Sequence, residues 1–374
     1  MSAIRLSEKV YWVGAVDAGV RDFHGYKTPY GTTYNSYLIL DEKITLIDFV
    51  KEGFTSEHIR NIEEIVPLER LDVLVANHIE PDHSGSLPAV AARAKNAVLL
   101  ASPNGKKGLE AYYGLTCPIR TVKSGESYAT GAYTLMFTHI PMVHWPDSMA
   151  TYLAEEGLLF SNDAFGQHIA SDKRFVDELG IPFVMDRAKD YYANIVLPFG
   201  AQVEKALAAL GGLKLSMIAP SHGQIWRSDI PGILEKYARW AGNATDLDLA
   251  VIVYDTMWGS TAMMADALRA ELEAQGKTVR TYSLKSSHIS EVMAGLLEAK
   301  HICVGSPTLN RGMMPNVAAF LTYMKGLAPK NRVGMAFGSY GWSGESVSQV
   351  ESVLRECGFE LLPMRRQLYR SQTT

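Results

Sequence analysis

The sequence predicts an α/β protein of two domains, a layered β-sheet region over residues 1–245 followed by a doubly wound parallel sheet over 246–374. Three observations carry this. A chain of 374 residues is longer than a single hydrophobic core ordinarily serves. The stretch Gly242-Asn243-Ala244-Thr245-Asp246 is small and polar, as linkers are. Beyond it, apolar runs of strand length alternate with helical stretches, the rhythm of a parallel sheet whose crossovers are helices.

Composition narrows the function classes. Hydrophobic residues make up 47% and charged residues 20%, the balance of an ordinary globular enzyme. No apolar run approaches membrane-spanning length, and no basic N-terminal segment leads into an apolar core, which predicts a cytoplasmic protein without membrane association. The net charge of −4 argues against a nucleic-acid partner. Cys117, Cys303 and Cys357 are scattered without C-x-x-C spacing, which fits a reducing compartment and argues against an iron–sulfur or rubredoxin-type centre in this chain.

In the first region, Leu71 to Ala76 reads as a buried strand and Ser84 to Pro88 as the opening of a helix that runs from Leu87 to Lys95. Between them lies His78-Ile79-Glu80-Pro81-Asp82-His83, four potential metal ligands in six residues. A strand-to-helix loop can turn several side chains toward one point, whereas an extended strand sends alternate residues to opposite faces. Three further candidates follow, each where an apolar segment breaks into a turn: His144, Asp163 after Gly157 to Phe160, and His222 after Ile218-Ala219-Pro220-Ser221. Imidazole-rich tetrahedral sets suit zinc, while mixed imidazole and carboxylate sets with open positions suit non-haem iron.

The second region predicts strands at Leu249–Tyr254, Thr278–Ser283, His301–Gly305 and Arg332–Phe337, with helices at 261–275, 289–297, 316–327 and 343–357. A last strand covers Phe359–Met364, and the polar, basic Arg365 to Thr374 lacks the apolar stripe of a closing helix. Three loops leave the carboxyl ends of these strands, where such sheets bind ligands. Thr256-Met257-Trp258-Gly259-Ser260-Thr261 offers hydroxyls and backbone N–H groups at a helix start, a phosphate site without a cationic side chain. Neither G-x-x-x-x-G-K-[ST] nor G-x-G-x-x-G occurs, which disfavours nucleoside triphosphates and dinucleotides. Ser306-Pro307-Thr308-Leu309-Asn310 and Ser339-Tyr340-Gly341-Trp342-Ser343 are the other two loops, the latter with Tyr340 and Trp342 placed to flank a flat ring.

The run His78 to His83 resembles the H-x-H-x-D-H metal loop of the metallo-β-lactamase superfamily, with Glu80 in place of the second His. The three later loops resemble the phosphate loop and ring-binding loops of flavodoxin. With both on one chain, and with Arg21-Asp22-Phe23-His24-Gly25, Tyr34-Asn35-Ser36-Tyr37-Leu38 and His144-Trp145-Pro146-Asp147-Ser148-Met149 also matching, the whole chain resembles the flavodiiron proteins. The resemblance implies an αββα metallo-β-lactamase-like sandwich followed by a flavodoxin-like domain that binds FMN through the residues of those loops. It implies two non-haem irons, one on His78, Glu80 and His144, the other on Asp82, His83 and His222, with Asp163 between them. In some members the counterpart of His83 is turned away. It further implies reduction of O2 to water, of NO to N2O, or both, with electrons from a rubredoxin-like donor. Members form head-to-tail dimers, some as tetramers, in which the FMN of one subunit faces the irons of another. Rival readings are a dizinc hydrolase, weakened by Glu80, and a non-catalytic gas or redox sensor. His24 and Tyr192 are weaker candidates for lining a gas pocket or supplying protons, and His168 for a place just behind the metals. His139 reads as structural, and His58, His288 and His301 are given no chemistry.

Overall fold

The computed structural model describes residues 2–115 and 117–369. They divide into two compact units, Met1–Tyr191 with Ala201–Ala238, and Tyr192–Gly200 with Arg239–Thr374.

The first unit is built on two sheets. One is seven-stranded, in the order Ile4–Arg5, Val10–Trp12, Tyr37–Ile39, Thr45–Ile47, Val73–Ala76, Val98–Ala101, Ile119–Thr121, antiparallel up to Thr45–Ile47 and parallel beyond it. The other is five-stranded, Ser127–Ala129, Thr134–His139, Met149–Leu153, Leu158–Asn162, Met217–Pro220, antiparallel until its last, parallel pair. Strand Val73–Ala76 explains the layering. Val73 and Val75 join Val10, Trp12, Phe137, Met149 and Phe160 in a core drawn from both sheets, while Leu74 and Ala76 pack with Ile62, Leu87, Val90 and Leu109, which are helical or flank helices. The period-two alternation thus sends one side of a fully buried strand to the facing sheet and the other to a helix layer.

The second unit carries a parallel sheet in the order Thr278–Ser283, Asp246–Tyr254, Ala299–Gly305, Val333–Tyr340, Glu360–Leu361, with Arg365–Leu368 also pairing to Val333–Tyr340. Helices Ser260–Ala274, Ile289–Leu296, Pro315–Leu327 and Glu345–Glu356 are the crossovers. This is the doubly wound arrangement expected from the alternating pattern. One element differs: the expected last strand is two short ones, separated at Leu362-Pro363-Met364. Pro363 has no N–H to give to the ladder, so pairing lapses there and resumes at Arg365. A strand therefore occupies Arg365–Leu368, and among the described residues no helix follows it. Arg370–Thr374, the rest of the stretch considered for a closing helix, lie outside the described residues. The segment Tyr192–Gly200 belongs to this unit through Asn194, whose amide donates to the Ser290 carbonyl (3.2 Å) and accepts from the Tyr323 hydroxyl (2.8 Å).

Candidate functional site

The metal loop is anchored at its root. Where the chain leaves strand Val73–Ala76, the backbone N–H and side-chain amide of Asn77 donate to the two oxygens of buried Asp48 (2.7 and 3.0 Å), and the Thr151 hydroxyl donates to Asn77 Oδ1 (2.7 Å). Pro81 then opens the helical turn Pro81–Ser84, which separates the directions of Glu80, Asp82 and His83. Asp163 is delivered by a β-bulge between Phe160 and Asn162, with Asn162 in the left-handed region at φ 57°. His222 sits in a turn held by the Tyr34–Leu38 stretch. The Asn35 amide donates to the Pro220 and Gly223 carbonyls (2.8 and 3.0 Å) and the Tyr37 hydroxyl to the Pro220 carbonyl (2.6 Å).

These segments bring all seven sequence-predicted side chains into two adjoining sets, His78, Glu80, His144 and Asp163 in one and Asp82, His83 and His222 in the other. In the first, Glu80 Oε2 lies 3.3 Å from His78 Nε2 and 3.3 Å from His144 Nε2, and Asp163 Oδ2 lies 3.2 Å from His144 Nε2. In the second, Asp82 Oδ2 lies 3.3 Å from His83 Nε2 and 3.2 Å from His222 Nε2. Asp163 touches both, because its other oxygen, Oδ1, stands 3.0 Å from His83 Nε2. His83 is turned inward and buried, not away.

Outer partners fix the imidazoles of His78 and His222. Asp147 Oδ2 accepts from His78 Nδ1 and from the Ile79 N–H, both at 2.9 Å, and the Thr33 carbonyl accepts from His222 Nδ1 at 2.7 Å. Each bond leaves the ring's Nε2 facing the cluster, as ligand imidazoles require. Burial disfavours charge on these rings, yet the carboxylates overcome it: hydrogen bonds donated to Asp147 and Glu80 carry His78 up to about 10, and those donated to Asp163 and Glu80 carry His144 up to about 10. The rings thus have a raised affinity for positive charge.

The donor set fits metal. It consists of four imidazoles and three carboxylates without sulfur. Both oxygens of Asp82, both of Asp163 and both ring nitrogens of His83 are buried with no well-formed hydrogen bond. Such groups are costly to bury unless a cation satisfies them. Two divalent ions, bridged by Asp163 and largely neutralised by three carboxylates, would do so, and the mixed set favours iron over zinc.

The weaker candidates fall in distinct places. His24 is 59% exposed at the side chain, with Nε2 at 3.1 Å from Glu80 Oε1. His168 packs its ring 4.8 Å from that of His222 and shares a 2.7 Å hydrogen bond with the Thr32 hydroxyl. Tyr192 belongs to the second unit, its ring 5.2 Å from Trp240. His139 bonds the Val122 carbonyl (3.0 Å) and His58 lies buried between the Ser36 and Ser86 hydroxyls (both 2.9 Å). Asp147, Thr33 and Asp48 are residues that motif reading passes over. Asp147 stood inside the quoted His144–Met149 stretch, and its position three residues after a candidate ligand was the available signal.

In the second unit a cavity of about 230 Å³ opens at the carboxyl edge of the sheet. Met257 and Trp258 line it from the first loop, Thr308 to Asn310 from the second, Gly341 to Ser343 from the third, and Tyr369 from beyond the last strand. Gly259, at φ 86°, turns the first loop into helix Ser260–Ala274, and a helix N-terminus presents backbone N–H groups that suit phosphate. The loops are tied together: Thr256 Oγ1 accepts from Gly259 N (3.2 Å), Thr261 and Ser339 share a hydroxyl bond (2.8 Å), and the Ser346 hydroxyl donates to the Ser306 carbonyl (3.1 Å). At Gly338 a Cβ would stand 2.0 Å from the Ser306 carbonyl oxygen, so only glycine permits this approach. Ser306 also accepts from the Met314 N–H (2.9 Å), and Pro307 accepts from the Ser306 hydroxyl (2.8 Å). The aromatic walls are Trp258, Trp342 and Tyr369. Tyr340 is not among the lining residues; its ring lies 3.3 Å from where a Cβ on Gly344 would stand. Tyr369 went unnoticed in a tail read as polar.

Comparison with known proteins joins the two units. The ODP family beta lactamase pattern matches residues 32–223 and the flavodoxin pattern residues 252–365. The chain is 44% identical to the nitric oxide reductase of Moorella thermoacetica, over 96% of this chain and 91% of that protein. It is 40% identical to the rubredoxin-oxygen oxidoreductase of Megalodesulfovibrio gigas, over 96% and 91%. The crystal structure of the flavodiiron protein from Giardia intestinalis superposes with a TM-score of 0.96 at 36% identity, covering 99% of this chain and 92% of that one. A metallo-β-lactamase-like unit with a two-set metal cluster, continued by a flavodoxin-like unit and matched along nearly its whole length, makes this chain a member of the flavodiiron protein family.

Proposed function

We propose that this protein is an oxidoreductase that takes electrons onto FMN, passes them to two non-haem irons and reduces O2 to water, NO to N2O, or both. The observation that carries the reading is Asp163, whose two carboxylate oxygens face two separate sets of His and carboxylate side chains. When bound, FMN supplies two electrons that can leave singly, and the irons supply one-electron redox chemistry and open positions for a diatomic gas.

The chain's own residues define the rest. His78, Glu80 and His144 would hold one iron and Asp82, His83 and His222 the other, with Asp163 facing both sets. Asp147 and Thr33 orient the ring planes. Burial of the cluster keeps bulk water from the reacting gas. His24, on the exposed side of Glu80, is placed to carry protons inward at Nε2. Thr256 to Thr261 would hold the FMN phosphate, and the loops 306–310 and 339–343 its ring, with Trp258 and Trp342 as walls. The division of labour follows the domains 1–245 for metal and 246–374 for flavin.

A rubredoxin-type protein is the donor, and the working unit is a head-to-tail dimer, alone or paired as a tetramer, with the FMN of one subunit serving the irons of its partner. Among the described residues no helix is long and apolar enough to cross a membrane, in keeping with a cytoplasmic site of action. The test is metal analysis with gas turnover: about two irons per chain, and oxidation of the reduced protein by O2 or NO. Bound zinc without gas turnover would sink the reading. For the dimer, a dispersed monomer should reduce its FMN normally and fail to pass the electrons on.

A further inference from the structure

None of the residues lining the flavin cavity carries a charge, and the helix start that would hold the phosphate offers N–H groups and hydroxyls without a cationic side chain. Arg311 is a cation beside this uncharged wall, and the Glu345 carboxylate lies within its electrostatic reach. The Arg311 guanidinium lies over the ring of Trp342, Cζ to centroid 5.9 Å, and Trp342 is a wall of the cavity. Its backbone is tightly held. Leu309 and Gly312 exchange backbone hydrogen bonds of 2.9 and 2.8 Å, Gln349 Nε2 donates to the Arg311 carbonyl (3.1 Å), and Gln349 Oε1 accepts from the Met313 N–H (3.1 Å).

That turn places two successive non-glycine residues in the left-handed region, Asn310 at φ 49° and Arg311 at φ 59°. Each such residue costs on the order of 1 kcal/mol relative to glycine, which would satisfy the turn without strain. Here a backbone position that costs strain carries a long charged side chain, clamped beside a ligand cavity.

We propose that Arg311 tunes the flavin: its positive charge favours FMN carrying an added electron without a proton. The inference rests on the FMN reading of this cavity. The step balances simply. One electron from the donor enters the oxidised ring, no bond breaks, and the negative charge that appears is offset across Trp342 by the guanidinium. Charge near the ring is a principal lever by which proteins set flavin potentials.

The experiment uses FMN-loaded protein, wild type, Arg311→Gln and Arg311→Lys, titrated anaerobically with dithionite against reference dyes while absorption spectra are recorded. Arg311→Gln should lower the potential for the first electron by about 59 mV, a tenfold weaker hold on that electron. It should also shift the one-electron-reduced flavin from the red anionic toward the blue protonated form. Arg311→Lys should keep most of the wild-type potential and colour. An unchanged potential in fully FMN-loaded Arg311→Gln overturns the inference, as does a variant that loses FMN affinity with no change in potential. Failure of the wild type to bind FMN would instead overturn the flavin assignment itself, and this inference with it.

Discussion

The two units build their sites in opposite ways. In the first, seven charged or ionisable side chains gather in one cluster, where outer hydrogen bonds aim the rings of His78 and His222. In the second, the cavity is uncharged, walled by backbone and aromatic rings, and open enough that Trp258 and Trp342 are 74% and 75% exposed. A cation centre must compensate each charge it buries, so its residue types are restricted and its geometry rigid. A flavin cavity recognises phosphate and a flat ring through groups that every chain possesses, so position in the fold matters more than residue type.

The contrast can be broken most directly at Asp163. Asp163→Ala should remove the shared carboxylate from both sets, lower bound iron well below the wild-type content and reduce gas turnover by at least about 100-fold, while FMN content stays unchanged. Retention of iron with normal turnover would mean that the two sets do not depend on the bridge. A smaller loss is expected one layer out. Asp147→Ala frees the His78 ring and should weaken metal affinity by about 10- to 100-fold in chelator competition, since the loss acts through orientation alone. Metal release at the wild-type rate would argue that packing by itself holds His78.

Acid should discriminate the units by a further step. Burial holds His58 down to about 3, so its folded-state value lies below the ordinary 6.5. The unfolded chain therefore binds the proton first. The stabilisation is complete above about pH 6.5 and is lost as pH falls toward about 3, at roughly 1.4 kcal/mol per pH unit. Urea unfolding of wild type and His58→Gln at about pH 7 and about pH 5 should show the steeper loss in the wild type, and equal slopes would remove His58 as the cause. The smallest effect belongs to the open cavity. Trp342→Ala should weaken FMN binding severalfold, in line with about 1 kcal/mol for a stacked ring, and leave folding stability within about 0.5 kcal/mol and iron content untouched. A large stability loss would show that Trp342 supports the unit and is not merely a wall of its cavity.

Legibility followed the same divide. His78 to His83 announced metal chemistry because such ligands are rarely packed into six residues, and the strand before it and helix after it were readable from apolar periodicity. The doubly wound alternation of the second unit was equally plain, since its central strands carry apolar runs such as Leu249 to Val253 between helical stretches. The polar, basic Arg365-Arg366-Gln367-Leu368 concealed a strand, because it pairs at the end of the sheet, where little is buried. Tyr369, which follows that strand, was hidden with it.

The sequence by itself determined the fold class, the family, and the kinds of side chain that gather at the metal cluster, because residue chemistry and periodicity are local properties. Tertiary structure alone decided that Asp163 faces both sets with different oxygens, and that Asp147 and the Thr33 carbonyl aim the rings. It also decided that Tyr192–Gly200 packs with the second unit and that Arg311 stands against Trp342. Each of these depends on groups far apart in the chain, or on a backbone angle that a one-dimensional pattern does not carry.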